Sequence, residues 1–400
     1  MKKIIISILS LCMTLIGCTK EKTADPIIIE DAKEVKQDNR MTSIQIADQI
    51  YNTIEDNIMF SPLSLNMALG LLYEGAKGNT KEVLEEYLGI EDFKDFAYYY
   101  NYRIQDLNEE GEENGYAKVF EIANALYINQ NNKLLDDYSN IVKQYYFADL
   151  QSLDFSQSVK CAKIINSYCD TKTHHMISNI IDESMINENL FSILLNTVYF
   201  ESPWKDCFEV EEYTNEFTNL DRTVTKLQYL YSSEASNYYE NDHAIAFSYP
   251  YANGLSFIGI LPKQEGDFTL SSLDLTGLLE SHVEADEIRV RMPGLDFDTT
   301  IELTDILKNN GLENIFINPD FRGISDQDLR VSDIIQKTKI ELTENGTKAA
   351  AVTMITNETM MLLPEEQIVK EINLNRPYAF MIYDYATDQI IFIGKVINMK

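Results

Sequence analysis

Histidines, cysteines and glycine-spaced segments are the places where this chain could carry out chemistry. There are four histidines and five cysteines. His174 and His175 are adjacent, so on a helix or a strand they point in different directions and make poor joint metal ligands. His243 and His282 stand apart, and no HExxH or CxxC pattern occurs. Cys12 and Cys18 lie near the start, leaving Cys161, Cys169 and Cys207, an odd set that cannot be fully paired. Cys161 and Cys169 fall eight residues apart in a helical pattern. That is roughly 12 Å along a helix, beyond disulfide reach, so these read as buried free thiols. Gly254-Leu255-Ser256-Phe257-Ile258-Gly259 is one residue too long for a nucleophile elbow. Gly70 to Gly75 has phosphate-loop spacing but continues Ala76-Lys77 inside a helical pattern. With no nucleophile–base set and no ligand cluster, the chain reads as a non-enzyme without metal or cofactor.

Function must then rest on the elements themselves. The 400 residues carry 33 Lys+Arg against 64 Asp+Glu, a formal charge of −31. Such a surface repels nucleic-acid phosphates and anionic lipid. With 45% hydrophobic residues the chain can still bury a large core. Residues 41–190 are helix-rich. Ser61-Pro62 supplies a side-chain cap and a first-turn proline. Asn79 with Glu82 forms a capping-box pattern, and Gly89 closes that helix. Phe93, Phe96, Ala97, Tyr100, Ile104 and Leu107 form one face of another helix. Beyond residue 190 the runs Ile193–Phe200, Leu255–Leu261, Ile288–Met292, Val331–Leu342, Tyr378–Tyr383 and Ile390–Ile397 read as strands, several apolar on both faces. A short helix over Ile301–Asn310 interrupts them. Helices first and strands later, without βαβ alternation, linker or repeat, imply one α+β domain over 41–400.

The N-terminus stands apart. Met1-Lys2-Lys3 precedes 13 apolar residues, Ile4 to Ile16. This run is too short for a span of about 20 residues. It ends in Leu15-Ile16-Gly17-Cys18, which resembles a bacterial lipoprotein box. The resemblance implies cleavage after residue 17 and lipidation of Cys18. Loss of Lys2 and Lys3 leaves 31 basic against 64 acidic residues, or −33. Residues 18–40 read as a polar tether. The implied location is an extracytoplasmic bacterial membrane surface, held by lipid. Thr19, in place of an inner-membrane-retaining Asp, favours the outer membrane or cell surface.

Several blocks together resemble the serpin family along nearly all of residues 41–400. They are Asn57-Ile58-Met59-Phe60-Ser61-Pro62-Leu63-Ser64-Leu65, Gly75-Ala76-Lys77-Gly78-Asn79-Thr80 and Ala123-Asn124-Ala125-Leu126-Tyr127. Leu195-Asn196-Thr197-Val198-Tyr199-Phe200 followed by Trp204, and Asp320-Phe321-Arg322-Gly323-Ile324-Ser325, continue the series. Glu344-Asn345-Gly346-Thr347-Lys348-Ala349-Ala350-Ala351, Arg376-Pro377-Tyr378-Ala379-Phe380 and Phe392-Ile393-Gly394-Lys395-Val396 complete it. The resemblance implies helices packed on three β-sheets with an exposed reactive loop at about 344–376. A monomeric suicide inhibitor of serine proteases, extending to some cysteine proteases, is the implied activity. The loop is cut, its N-terminal part inserts into the main sheet, and the acyl-linked protease is distorted. The alternative is a non-inhibitory surface lipoprotein of the same fold that binds a ligand or partner. Glu344, Gly346, Thr347, Ala349, Ala350 and Ala351 would be the hinge. Ser61, Ser64, Asn196 and Gln336 would hold the sheet closed, with Trp204 packed where the hinge enters. Gln336 stands where many members have His, Tyr378 where the signature has Phe, and Gly294 where some have a Lys that pairs with the residue matched by Glu344.

The hinge can be tested on its own chemistry. As a strand, Thr347, Ala349, Ala351, Thr353, Ile355, Asn357 and Thr359 share one face, which carries no charge. Lys348 and Glu358 fall on the other. An unpaired charge carried into a sheet would cost several kcal/mol. Alanine also favours helix, but Gly346 precedes the run and Val352-Thr353-Met354-Ile355-Thr356 is β-prone. Counting from Glu344 by the family's spacing puts the reactive bond at Met360–Met361. Counting back from Arg376-Pro377 moves it later, leaving Met361–Leu362 and Leu362–Leu363 open. This apolar cluster suits chymotrypsin-, elastase- or subtilisin-like pockets.

Overall fold

The computed structural model describes residues 40–89, 93–107, 119–347 and 367–400, with backbone alone at 93–96 and 119. The signal and tether calls, Cys18, and the reactive-bond residues Met360, Met361, Leu362 and Leu363 lie outside the described residues. So do Ala349, Ala350 and Ala351.

In chain order the first part comprises α1 (Arg40–Tyr51), β1 (Ile58–Phe60), α2 (Pro62–Gly75), α3 (Gly78–Leu88) and α4 (Phe93–Leu107). There follow β2 (Val119–Asn129), α5 (Asp136–Tyr146), β3 (Asp149–Leu153) and α6 (Ser158–Lys172). Next come β4 (Ser192–Pro203), β5 (Glu209–Thr218), β6 (Val224–Ser232), β7 (Asn237–Glu240), β8 (Ala244–Pro250) and β9 (Ser256–Pro262). A short α7 (Leu275–Glu280) precedes β10 (His282–Val283), β11 (Glu287–Pro293) and β12 (Leu295–Glu302). After α8 (Thr304–Leu307) and α9 (Glu313–Ile317) come β13 (Asp333–Thr343), β14 (Gly346–Thr347), β15 (Val369–Asn373), β16 (Tyr378–Asp384) and β17 (Gln389–Val396).

Three sheets result. One has the order β12-β13-β14-β4-β2-β3, one β1-β17-β16-β9-β8-β7-β10, and one β15-β11-β6-β5. The fold is α+β, with parallel pairs β13–β4, β2–β3 and β11–β15 inside otherwise antiparallel sheets.

The six-stranded sheet is buried on both faces over β4, which explains why its apolar residues fall on both faces of the strand. Even-numbered residues such as Leu194, Val198 and Phe200 enter the main core. Odd-numbered Ile193 and Leu195 enter a second, smaller core with Ile335, Ile165 and Cys169, beneath α6. Strand alternation thus shares one segment between two cores.

Some expectations need correction. Ser61 does cap α2, accepting from the Ser64 N–H. The Asn79/Glu82 capping box does not form: α3 starts at Gly78 with Lys77 as an unassisted cap. The Lys77 N–H is drawn to the Asp320 carbonyl (2.8 Å), which fixes that turn one residue early. The helix over Ile301–Asn310 is wrong at its start. Ile301 and Glu302 end β12, because Leu295, Thr299 and Ile301 alternate with exposed residues. Non-helical backbone at Asn310 and Gly311 then breaks the segment before α9. Cys161 and Cys169 are buried free thiols in α6, as read, and Cys207 is free and half-buried.

Candidate functional site

Strands β4 and β13 run side by side but are joined over only part of their length. Asp333 to Thr338 pair in parallel with Ile193 to Val198. Above that zone β14 lies between them, Gly346 facing Pro203 and Thr343, Thr347 facing Ser202 and Leu342. Between the two zones, residues 199–201 of β4 and 339–341 of β13 keep their outer partners on β2 and β12. No described residue pairs with them from within. The sheet therefore has a closed lower half, a notch three residues deep, and a hinge seated at the mouth.

The closed half is fastened by buried amides. Gln336 accepts from the Ser61 N–H (2.8 Å) and donates to the Ser61 carbonyl (3.0 Å) and to Asn196 Oδ1 (2.7 Å). Asn196 Nδ2 donates to the Ser64 carbonyl (3.1 Å) and to Asn124 Oδ1 (2.6 Å). The Ser61 hydroxyl donates to the Ile391 carbonyl (2.7 Å). Ser61, Ser64, Asn196 and Gln336 are all fully buried. The N-terminus of α2 is thereby tied to β13, β4, β2 and β17 at one point. In such a dry network each bond matters, because a partner removed leaves its mate unpaired.

The mouth is aromatic. Trp204, the only tryptophan in the chain, stacks on Tyr251 at 4.2 Å between centroids and meets Phe208 and Tyr249 edgewise. Its indole N–H donates to the Thr343 carbonyl (2.9 Å), and its backbone N–H to the Asn345 carbonyl (3.0 Å). The Phe208 N–H holds the Glu344 carbonyl (2.9 Å). The Tyr251 and Thr347 hydroxyls share a hydrogen bond of 2.8 Å, and Thr347 is buried. Burial pushes the Tyr251 phenol up, so it stays neutral. At Gly346 φ is +145°, and a Cβ there would sit 2.3 Å from the Ser202 carbonyl oxygen, so the turn into β14 requires glycine. Glu344 accepts from Asn345 Nδ2, and no cation pairs with it among the described residues.

The structure thus brings Ser61, Ser64, Asn196 and Gln336 into one cluster and Trp204, Glu344, Gly346 and Thr347 into another. Sequence reasoning missed Tyr251 as the partner of the hinge. It lies in a turn nearly 100 positions away, with no pattern linking it to Thr347. Asn124 falls in one of the serpin-like blocks, but nothing in the sequence shows that it joins Asn196. His174 and His175 do not converge: His174 meets Glu121 and His175 meets Asp170. Among the described residues there is no group of three possible metal ligands, and no helix long and apolar enough to cross a membrane.

A partly parted sheet with a two-residue strand seated at its mouth is an arrangement of backbone rather than a set of catalytic groups. The family profile for serpins (serine protease inhibitor) matches residues 37–399. The chain is a serpin. It is 31% identical to an uncharacterized serpin-like protein of Thermococcus kodakarensis, over 86% of this chain and 81% of that one. It is 28% identical to leukocyte elastase inhibitor A of Mus musculus, over 85% and 92% of the two chains. Among solved structures it resembles a thermophilic serpin, Tengpin, in the native state. The TM-score is 0.77 at 27% identity, covering 91% of this chain and 95% of that one. Serpins as a family are protease inhibitors rather than catalysts.

Proposed function

We propose that this serpin inhibits serine proteases as a suicide substrate, by cleavage of the loop between β14 and β15 and insertion of its N-terminal part between β13 and β4. The observation that carries this is the pairing of Gly346 and Thr347 with both strands at once. Continuing that register sets Ala349 between Phe200 and Ile340, Ala351 between Val198 and Thr338, and Thr353 between Asn196 and Gln336. Every inward residue is small or uncharged, so entry buries no unpaired charge. On insertion, residues 348–350 would enter the notch. From Ala351 onward the closed half must part, and Thr353 brings a hydroxyl to the amides that separate.

The Met360-Met361-Leu362-Leu363 cluster supports targets with apolar pockets, of chymotrypsin, elastase or subtilisin type, with some cysteine proteases as a further class. An elastase inhibitor among the relatives is consistent with this preference. The Leu-Ile-Gly-Cys box supports a lipid anchor at Cys18 on an extracytoplasmic bacterial surface. Cys18→Ala should then abolish partition of the full-length protein into detergent. The test of inhibition is to mix the chain with such proteases. An SDS-stable complex is expected, with the cut mapped by mass spectrometry. Cleavage without complex at every stoichiometry would instead support a non-inhibitory binding protein.

A further inference from the structure

Eight arginines sit in a chain that carries 64 acidic residues. Seven of them have a carboxylate at ion-pair distance, as Arg103 has Asp384 and Arg291 has Glu211. Arg376, in the turn between β15 and β16, has none among the described residues. Its Nη2 donates to the Pro262 carbonyl (2.8 Å), and its Nη1 meets Asn375 Oδ1 only at 3.5 Å. Its Nε is buried without a hydrogen-bond partner among the described residues. Burial pulls this guanidinium below its ordinary value, and the charge of Glu265 draws it partly back. Arginine keeps its proton in proteins, so this is a half-buried cation whose charge is poorly compensated.

Arg376 lines a cavity of roughly 130 Å³, far from the hinge, bounded by the β5–β6 turn, the segment after β9 and the β15–β16 turn. Pockets for drug-sized molecules start near about 300 Å³, so this one suits a compact group with a few waters. The residues around it show which kind. Arg222 is a second guanidinium in the lining, held at φ +71° in a tight turn where Gly or Asn would be favoured. Thr218 and Asn375 line the cavity too, and a hydroxyl and a carboxamide can both donate. The acid in the lining is Glu265. It stands 3.7 Å from Arg222, and both side chains are about two-thirds exposed, at 69% and 66%. An ion pair so exposed holds weakly. The neighbouring Asp221 is taken up by the Thr223 N–H (2.9 Å) and hydroxyl (2.6 Å). Glu265 is thus a loosely tethered anion in the field of both arginines.

We propose that this cavity binds one compact oxyanion, a phosphate or sulfate group, between the guanidiniums of Arg222 and Arg376, with Thr218 and Asn375 as further donors and Glu265 as the internal anion it displaces. Guanidinium forks give paired N–H groups to the oxygens of such ions. The cavity is too small for a polyanionic chain, which the acidic surface would also repel. The Thr218 N–H already donates to the Asn375 carbonyl (2.9 Å). A bound oxyanion would reinforce that link between β5 and the β15–β16 turn and stabilise the fold by mass action. Nothing in this proposal depends on loop insertion.

The test is calorimetric titration of the intact protein with sodium phosphate at constant ionic strength, with chloride making up the balance. One saturating site per chain is expected; no saturation by about 10 mM would overturn the proposal. Arg222→Gln lies at an exposed position and should weaken binding about tenfold with the fold intact. Glu265→Gln should tighten binding about fivefold, because it removes the competing carboxylate, a gain that a general salt effect would not give. Circular dichroism confirms that both variants are folded. Unchanged affinity in these two variants would overturn the assignment of the site. Equal binding of glycerol phosphate would identify a phosphate group carried on a larger ligand, and binding of inorganic phosphate alone would identify the free ion.

Discussion

The lower and upper halves of the β4–β13 seam are made of the same two strands yet are held by different means. Below, six residue pairs and a knot of four fully buried polar side chains close the gap. Above, the strands are kept apart by the two residues of β14, an indole stacked on a phenol, and hydrogen bonds to the backbone carbonyls of residues 343–345. The closed half adds to its ladder a knot of buried side chains bonded to one another and to nearby backbone groups. The open half relies on backbone bonds that a further strand can continue. A seam built this way resists opening until a strand arrives whose residues can replace what is lost.

The largest expected effect comes from attacking the open half. Thr347→Arg removes the hydroxyl bonded to Tyr251 and would carry an unpaired charge inward, costing several kcal/mol. Stable protease complex should disappear from gels while loop cleavage continues; undiminished inhibition would show that the insertion register is wrong. In the closed half, Gln336→Ala strands both backbone groups of Ser61 and the Asn196 carbonyl. A loss of about 4 kcal/mol is expected. It would be read as a lower guanidinium midpoint at unchanged slope; a change below 1 kcal/mol would mean the knot does not fasten the seam.

A third prediction tests the far end of the helix that closes the seam. Glu74, at the C-terminal end of α2, is pushed up to about 7 from 4.5, chiefly by burial, against the hydrogen bond from Tyr146 and the nearby Lys81 and Lys77. A carboxyl whose folded value is raised contributes its full stability below the unfolded value and loses it as pH rises. Stability should therefore fall between about pH 4.5 and about 7, by up to about 3 kcal/mol. Glu74→Gln keeps an acceptor for Tyr146 and should flatten that part of the profile. An unchanged slope would discount Glu74. The smallest effect is a control remote from both halves. The Tyr378 hydroxyl is buried and has no hydrogen-bond partner among the described residues. Tyr378→Phe should stabilise the fold by about 1 kcal/mol without altering inhibition.

Much of this site was legible from residues close in sequence. Ser61-Pro62, Gly346 and the uncharged alternation after it each carry a local reason that survives without coordinates. Trp204 and Asn196 could be named because their blocks are distinctive. Tyr251 could not, since its role depends on a stacking partner 47 positions away and a hydroxyl partner 96 away. Strands β5 and β6 also escaped notice. β5 is an edge strand whose residues are mostly exposed, so Glu-Val-Glu-Glu-Tyr-Thr-Asn-Glu carries no apolar period. β12 was not read as a strand, and its last apolar residue, Ile301, was given to the helix that follows: the strand runs almost straight into α8, and periodicity over so few residues does not locate the boundary.

The second core bears on timing. Ile193 and Leu195 belong to β4 and Ile335 to β13, and all three pack beneath α6 in one apolar cluster. Whatever wedges these strands apart must split that cluster across its middle, and can heal it again only by supplying an apolar residue from the new strand. In the proposed insertion that residue would be Met354, whose flexible thioether suits an irregular gap. The cost is met on the way and recovered at the end, so it sets how long the transition takes more than how far it goes. α6 and its apolar underside would therefore govern the interval between loop cleavage and completed insertion, the same interval in which a trapped protease would otherwise free itself.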